Sequence, residues 1–260
     1  MKITTWNVNS INSRFDFIAA WLQKNYSDIL LLQETKTPDQ KFPREKFKEL
    51  GYHSYAYGQK TYNGVAILSV KPFDEMHTGF PNNYYPQEKR LIWGKYNDIY
   101  IINSYFPNGR NPQHPQFKHK LEFYENILSF LKNNFSKSDN ILIAGDFNVA
   151  PREIDVWDPQ LLANSVGFHI KERKAFQKLL DWGLQDLFSL KNPNIQQFSW
   201  WDYRQGAFHR NWGMRIDHIL TRGNLIHRCT SCDIDREARK KKGELKPSDH
   251  SPLTAVFKDQ

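Results

Sequence analysis

The stretch Ile141-Leu142-Ile143-Ala144-Gly145-Asp146-Phe147-Asn148 decides how the chain folds. Four consecutive apolar residues, two of them β-branched, describe a strand buried on both faces, the kind found inside an α/β sheet. Gly145 permits a sharp turn or a close approach at the strand's end. Asp146 and Asn148 follow one residue apart, so in extended backbone both would face the same way. A carboxylate and a carboxamide at the carboxyl end of a buried strand stand where open α/β sheets place their chemistry. The same residues are also good turn formers and helix caps, so this motif alone does not establish a site.

Outward from that strand, strands and helices interleave. Residues 3–9 read as a strand ending in two asparagines, and 28–34 as a second buried strand ending in a carboxylate. Helical periodicity covers 15–22, with Asn12 or Ser13 as its cap, and 43–50, stopped by Gly51. Strands are expected at 52–57, 65–70, 90–96 and 99–106, with turns at Gly58, Lys71-Pro72 and Asn97-Asp98. A long amphipathic helix over 117–135 leads into the central strand. Residues 151–168 are rich in turn formers, and 172–180 form a helix. Two further strands follow at 215–220 and Leu253–Phe257. Interleaving of this kind indicates an α/β fold, and the hairpin spacing over 52–106 favours mixed sheets over a purely parallel one. With no repeat and no linker-like segment, residues 1–260 read as a single domain.

The totals narrow the function. Hydrophobic content of 39% and charged content of 25% describe a folded globular protein. The longest apolar run, residues 17–22, is far short of the roughly 20 residues that cross a bilayer. No signal-peptide pattern follows Met1, so a cytoplasmic location is expected. Cys229 and Cys232 are too few for a disulfide framework, and only His227 lies near them as a further zinc ligand. They read as two reduced cysteines. Net charge is +8, which favours a polyanionic partner. Arg204, His209, Arg210 and Arg215 are interleaved with Trp200, Trp201, Tyr203, Phe208 and Trp212. Stacking surfaces beside phosphate-binding cations are the composition of a nucleic-acid groove.

Polar residues recur at the strand ends: Asn7, Asn9, Glu34, Asp146, Asn148, Asp217, Asp249 and His250. Singly, each is an ordinary turn former. Together they supply hard oxygen donors that suit Mg²⁺ or Mn²⁺. Several acids and one histidine in a basic protein indicate hydrolysis of a phosphate ester.

The blocks Trp6-Asn7-Val8-Asn9-Ser10, Leu32-Gln33-Glu34-Thr35-Lys36, Asn63-Gly64-Val65-Ala66-Ile67, Tyr105-Phe106-Pro107-Asn108-Gly109, Gly145-Asp146-Phe147-Asn148, Trp201-Asp202-Tyr203-Arg204, Arg215-Ile216-Asp217 and Ser248-Asp249-His250-Ser251-Pro252 carry a resemblance. In them the chain resembles the exonuclease III family of apurinic/apyrimidinic endonucleases, within the wider endonuclease/exonuclease/phosphatase superfamily. The blocks fall in the family's order from residue 6 to 252. The resemblance implies a four-layered α/β sandwich, two packed mixed β-sheets flanked by helices, with the site at one edge. It implies that Glu34 holds a divalent metal, Mg²⁺ with Mn²⁺ as substitute, with Asn7 nearby and Asp249 as a further ligand. By the same resemblance Asp146 orients or activates water, Asn148 positions it or the phosphate, and His250 paired with Asp217 contacts the scissile phosphate. Tyr105 would donate its phenol to phosphate or leaving oxygen, and Asn108 would contact the same phosphate. Trp200, Met214 and Ile216 would wall a pocket for a flipped-out, baseless sugar, and Arg204 would probe the DNA groove. Asn9 stands where some relatives carry Asp, which weakens a second metal contact.

The implied activity is divalent-metal-dependent cleavage 5′ to an abasic site, leaving a 3′-hydroxyl, alongside 3′→5′ exonuclease and 3′-phosphodiesterase activity. Its partner would be double-stranded DNA carrying abasic sites or blocked 3′ ends, with no membrane and no obligate protein partner. A superfamily phosphatase acting on inositol phosphates or sphingolipid is the alternative enzyme, and a non-catalytic nucleic-acid-binding regulator is the alternative from another class. A calcineurin-like metallophosphatase is disfavoured because the chain contains no Asp-x-His.

Overall fold

Alternation within the apolar runs sets the layers of this molecule. The computed structural model describes residues 1–136 and 138–258. Among these the strands are β1 (Lys2–Asn7), β2 (Ile29–Gln33), β3 (His53–Tyr57), β4 (Val65–Ser69), β5 (Glu75–Thr78), β6 (Leu91–Tyr96), β7 (Ile99–Tyr105), β8 (Asn140–Asp146), β9 (Gln185–Asp186), β10 (Trp200–Trp201), β11 (Gly213–Met214), β12 (Asp217–Arg222), β13 (Cys229–Ile234) and β14 (Leu253–Phe257). The helices that cover them include α1 (Ile11–Asn25), α2 (Arg44–Glu49), α3 (Pro115–Asn134), α4 (Pro159–Leu162) and α5 (Ile170–Asp181). One sheet runs β13-β14-β1-β2-β4-β3 and the other β5-β6-β7-β8-β12-β9. Both are mixed: β1 pairs parallel with β2 but antiparallel with β14, and β8 pairs parallel with β7 but antiparallel with β12.

Leu142 and Ala144 of β8 face the other sheet and meet Ile3, Ile29, Leu31 and Ile67 in one apolar layer. Ile141 and Ile143, one step out of phase, face away and pack with Phe123, Ile127 and Leu131 of α3 and Phe176 of α5. The other sheet repeats this, with Leu30 and Leu32 packed on Phe17, Ile18 and Trp21 of α1 and Phe47 of α2. Helix, sheet, sheet and helix therefore stack as the four layers expected. The family-type sandwich follows from period-two burial on both sides of each sheet.

The same periodicity positions the polar residues. Each inward-facing row continues to a polar side chain at one end of the seam. Leu142 and Ala144 lead to Asp146, Ile219 to Asp217, Ile3 to Asn7, and Ile99 and Ile101 to Asn103 and Tyr105. Just inside that end, Gln33 Nε2 donates to Asn103 Oδ1 at 2.7 Å, and Asn103 Nδ2 donates to the carbonyls of Leu32 and Ala66 at 3.0 and 2.8 Å. These buried bonds tie the sheets together beneath the polar cluster. Asn103→Ala is expected to cost about 1–3 kcal/mol, because it removes the buried amide that accepts from Gln33 and donates to the Leu32 and Ala66 carbonyls, although Gln33 Nε2 keeps Thr5 Oγ1 and the Leu31 carbonyl. Urea unfolding reads this, and an unchanged midpoint would remove Asn103 from the seam.

Several local expectations are corrected. Helix α1 begins at Ile11 rather than 15, and its cap is Ser10, whose Oγ accepts from Ser13 N at 3.4 Å. Strand β5 has no apolar alternation because three of its four residues are exposed at a sheet edge. Cys229 and Cys232 lie on β13, both buried and free. A bulge between Cys229 and Ser231 shifts the register, so residues three apart face the same core layer. Among the described residues no helix is long and apolar enough to cross a membrane.

Candidate active site

The register of the second sheet assembles the first part of the site. Asp146 at the end of β8 pairs with Tyr105 of β7 on one side and Asp217 of β12 on the other. Gly145 has φ 147°, and a Cβ there would lie 1.8 Å from the Ser104 carbonyl oxygen, so only glycine lets β8 approach β7 so closely. Beyond Asp146 the chain turns. Asn148 has φ 53°, and its N–H donates to Asp146 Oδ1 at 2.8 Å. The two residues are thus joined through a turn, from backbone N–H to carboxylate, rather than set side by side by the extended alternation expected.

From the first sheet, Asn7 Nδ2 donates to Asp146 Oδ2 and to Glu34 Oε1, both at 2.9 Å. Glu34 lies one residue past β2. Asn9, Glu34, Lys36 and Asn148 all have positive φ. Left-handed conformations in non-glycine residues are costly and concentrate at functional sites.

His250, just before β14, closes the cluster. Its Nδ1 lies 2.8 Å from Asp217 Oδ2 and its Nε2 3.8 Å from Asp146 Oδ2. Burial by itself disfavours the imidazolium, but the carboxylates of Asp217, Asp146 and Asp249 outweigh it and lift its pKa to about 10. Burial also drives the Asp146 carboxyl up, to about 7, against the pull of His250 and with a push from Asp217. Tyr105 donates its phenol to Glu34 Oε1 at 2.8 Å, and burial together with that carboxylate holds its pKa well above the ordinary value. It stays protonated. Burial raises Glu34, but the Lys36 ammonium 2.7 Å from Oε2 and the Asn7 amide outweigh it, so Glu34 stays ionised.

These groups open on a cleft of about 640 Å³. Asn108 Nδ2 donates to Asn148 Oδ1 at 3.1 Å on one wall. Trp200 and Met214, paired across β10 and β11, pack with Ile216, Phe168 and Val156 as an apolar wall. Arg204 stands exposed on the rim, paired with Asp202 at 2.9 Å. Of the residues expected from sequence, Asn7 and Asp217 stand behind the lining, bonded to Asp146 and His250, and the others lie on it.

Residues 4–250 match the sequence profile of the Endonuclease/Exonuclease/phosphatase family. The chain belongs to that family. It is 36% identical over 273 residues to exodeoxyribonuclease III of Haemophilus influenzae, covering 99% of this chain and 100% of that protein. An AP endonuclease from Archaeoglobus fulgidus superposes with a TM-score of 0.94 at 39% identity over 99% of each chain. The 3′ phosphatase NExo from Neisseria, solved bound to a product DNA hairpin, superposes with a TM-score of 0.95 at 37% identity, again over 99% of each. As a member of the endonuclease/exonuclease/phosphatase family, the chain is a hydrolase of the nuclease type.

The family site has room for a cation. Asp146, Asp217 and His250 offer donor atoms within 4.8 Å of one another. A protonated His250 cannot ligate, however, and its Nδ1 is committed to Asp217. The better donor is Glu34, which lines the cleft while accepting from Asn7 and Tyr105 and pairing with Lys36; Asn7 stands behind it, its Oδ1 accepting from Asn9 N–H at 3.0 Å. Four carboxyl groups (Glu34, Asp146, Asp217 and Asp249) gather here, with Lys36 and His250 the cations paired directly to Glu34 and Asp217 and with Lys120 and Arg239 farther off. This excess of hard oxygen and negative charge fits a divalent ion. Asp249 is engaged elsewhere, accepting from Asn9 Nδ2 at 2.9 Å and Trp200 Nε1 at 3.1 Å.

Two contributors were not foreseen as site residues. Lys36 Nζ bridges Glu34 and Asn9 Oδ1, at 2.7 and 2.6 Å. Its signal was its place two residues after Glu34, on a short connection that cannot carry it far. The other is the buried pair of Lys120 and Glu172. Lys120 Nζ also donates to the carbonyls of Asn148 at 2.6 Å and Asn108 at 3.2 Å, while Glu172 Oε2 accepts from the N–H groups of Gly167 and His169. The pair pins three loops that border the cleft. A lysine on the apolar stripe of α3, among Phe117, Phe123, Tyr124 and Ile127, was the sequence signal.

Proposed function

We propose that this chain is a divalent-metal-dependent DNA repair nuclease. It hydrolyses the phosphodiester 5′ to an abasic site, leaving a 3′-hydroxyl, and also trims nucleotides and blocking groups from 3′ ends. Its partner is double-stranded DNA carrying those lesions. The observation that carries the reading is the meeting of Asp146, the Asp217–His250 pair and the Glu34–Asn7 pair at one end of the seam between the sheets, beside a small apolar pocket.

Each residue has a role that follows from its surroundings. Asp146, with a pKa near 7, accepts a proton from the attacking water. His250, kept charged by Asp217, faces the phosphate and offsets the negative charge that builds on it. Asn108 and Asn148, fixed to each other, position the phosphate oxygens. Tyr105 retains its proton and donates it to phosphate or leaving oxygen. Trp200, Met214 and Ile216 form a pocket without donors for a base, which suits a baseless sugar. Glu34 holds the cation, Mg²⁺ in this proposal, with Asn7 behind it fixing its carboxylate. When bound, it withdraws charge from the phosphate and stabilises the departing oxygen. Arg204 and the surrounding cations meet the DNA backbone.

The deciding experiment compares a synthetic abasic duplex with a matched intact duplex, each with and without Mg²⁺. Mg²⁺-dependent nicking confined to the abasic duplex is expected. No nicking under any divalent ion would end the proposal. Glu34→Ala is expected to raise the Mg²⁺ concentration for half-maximal activity at least about tenfold, since losing even an outer partner of a metal ligand costs about 10–100-fold in affinity. An unchanged Mg²⁺ titration would take Glu34 out of metal binding.

A further inference from the structure

The turn that follows Asp146 is held by its backbone carbonyls. Three in succession meet buried side chains: Phe147 O accepts from the Tyr124 hydroxyl at 2.7 Å, Asn148 O from Lys120 Nζ at 2.6 Å, and Val149 O from His218 Nε2 at 2.8 Å. His218 Nδ1 lies 2.9 Å from the Arg215 guanidinium, which can only donate, so the proton of the ring sits on Nε2. Asn148 at the centre has a left-handed backbone. Asparagine reaches that conformation more readily than most residues, but it persists where the surroundings enforce it.

Lys120 does more than cap one carbonyl. Its ammonium has three N–H groups and sends each to a different segment. One goes to Asn148 O, one to Asn108 O at 3.2 Å, and one to Glu172 Oε1. The two asparagines fixed in this way are those whose side-chain amides meet at 3.1 Å on the cleft wall. Glu172 reaches the other way, its Oε2 accepting from Gly167 N–H at 2.9 Å and His169 N–H at 3.1 Å. Gly167 backs the apolar pocket, where a Cβ on it would stand 3.0 Å from Met214 Cε. One buried ion pair, from α3 and α5, thus anchors both the phosphate-facing amides and the pocket wall. For stability alone it is a poor choice, since apolar residues of the same volume often serve as well.

We infer that Lys120 and Glu172 are positioning residues for phosphodiester hydrolysis, setting the spacing between the Asn108–Asn148 amides and the Met214 wall and so the place of the scissile phosphate before Asp146. They act through Asn108, Asn148 and Gly167, and neither touches the substrate. The inference rests on the nuclease reading of the site.

The test uses Lys120→Met/Glu172→Gln. Lys120→Met alone would strand a carboxylate in the interior. In the double variant methionine fills the volume, and the glutamine oxygen still accepts from Gly167 and His169. Its single-turnover rate on an abasic duplex is expected to fall about 10–100-fold, the order that follows from a misplacement of about 1 Å. The Kd for that duplex should stay within about threefold, because the cations on the rim of the groove are untouched. Glu172→Gln alone sets an amide N–H against the ammonium, and its rate should fall at least about fivefold. That variant carries the test if the double one does not fold. Both are repeated in an Asn148→Gly background, where glycine keeps the left-handed turn and no amide is left to aim. There the same exchange should cost at least about fivefold less than in the wild type, because residues acting as a unit are not additive. Equal fold losses in the two backgrounds would mean that the pair only holds the fold together. That result, or a rate within about threefold of wild type, would overturn the inference.

A second arm does not depend on turnover. Binding of 2-deoxyribose 5-phosphate, read by tryptophan fluorescence, is expected to weaken at least about fivefold in the variants as the amides lose their alignment on the phosphate. Unchanged affinity overturns the positioning role, as does a wild type that does not bind it. If the wild type nicks no abasic duplex, the nuclease reading itself has failed, and this arm still decides whether the pair aims the two amides.

Discussion

Asp146→Asn is expected to lower kcat on an abasic duplex by about 10²–10⁴-fold while leaving the Kd for that duplex within about threefold. The substitution is nearly isosteric. An amide oxygen at this position can still accept from Asn7 Nδ2, which now donates to Oδ2 at 2.9 Å, while the amide NH2 then faces the Asn148 N–H that now donates to Oδ1 at 2.8 Å. What the amide cannot do is take a proton. Burial, Asp217 and Glu34 all hold the native carboxyl up, at about 7, which matches a base working near neutrality. The sign for stability runs the other way. A carboxyl whose folded pKa exceeds its unfolded one destabilises the fold above the unfolded pKa, and relief of that strain offsets the hydrogen bond the amide loses to Asn148 and the weaker hold on the His250 charge, so Tm should change little. Lost turnover with retained stability and retained DNA binding separates chemistry from folding. Turnover within tenfold of wild type would assign the proton to another group.

How much of this was legible beforehand depends on range. Asp146 and Glu34 were visible because each follows an apolar run by a single residue, and Asn7 and Asp217 because each stands in a strand-like stretch, Asn7 at the end of β1 and Asp217 at the start of β12. The four layers were visible for the same reason, since runs such as Leu30–Leu32 and Ile141–Ala144 have no polar face and need cover on both sides. Local backbone choices were hidden. The left-handed φ of Asn148 and Glu34 and the bulge beside Cys229 depend on neighbours far along the chain, and no short window contains them. Side-chain pairing was hidden too. Lys120 and Glu172 lie 52 residues apart, on helices that meet only once the sheet they both cover is built. The stacked Trp157 and Trp212 come from a turn-rich segment and from the aromatic-basic region, two stretches whose composition says nothing of each other.

Asp217→Asn is expected to lower kcat about 10²-fold at neutral pH and to move the alkaline fall in activity to lower pH. His250 Nδ1 faces Asp217 Oδ2 at 2.8 Å, and Asp217 is the largest of the influences that oppose burial of the imidazolium. Without that carboxylate, desolvation dominates and the ring gives up its proton earlier. In the wild type the activity should therefore rise through about pH 7 as Asp146 ionises and fall near pH 10 as His250 deprotonates. In the variant the upper limb should descend by at least one pH unit and narrow the active range. Stability carries an independent reading of the same contact. Because the folded pKa of His250 lies above its unfolded value of 6.5, the stabilisation is fully present below about pH 6.5 and is lost as pH climbs through about 10. The difference in unfolding free energy between wild type and variant should accordingly be largest near pH 6 and shrink toward pH 10. An upper limb that stays in place would mean that Asp217 orients the ring without governing its charge, and the phosphate-facing cation would have to be sought in Lys36.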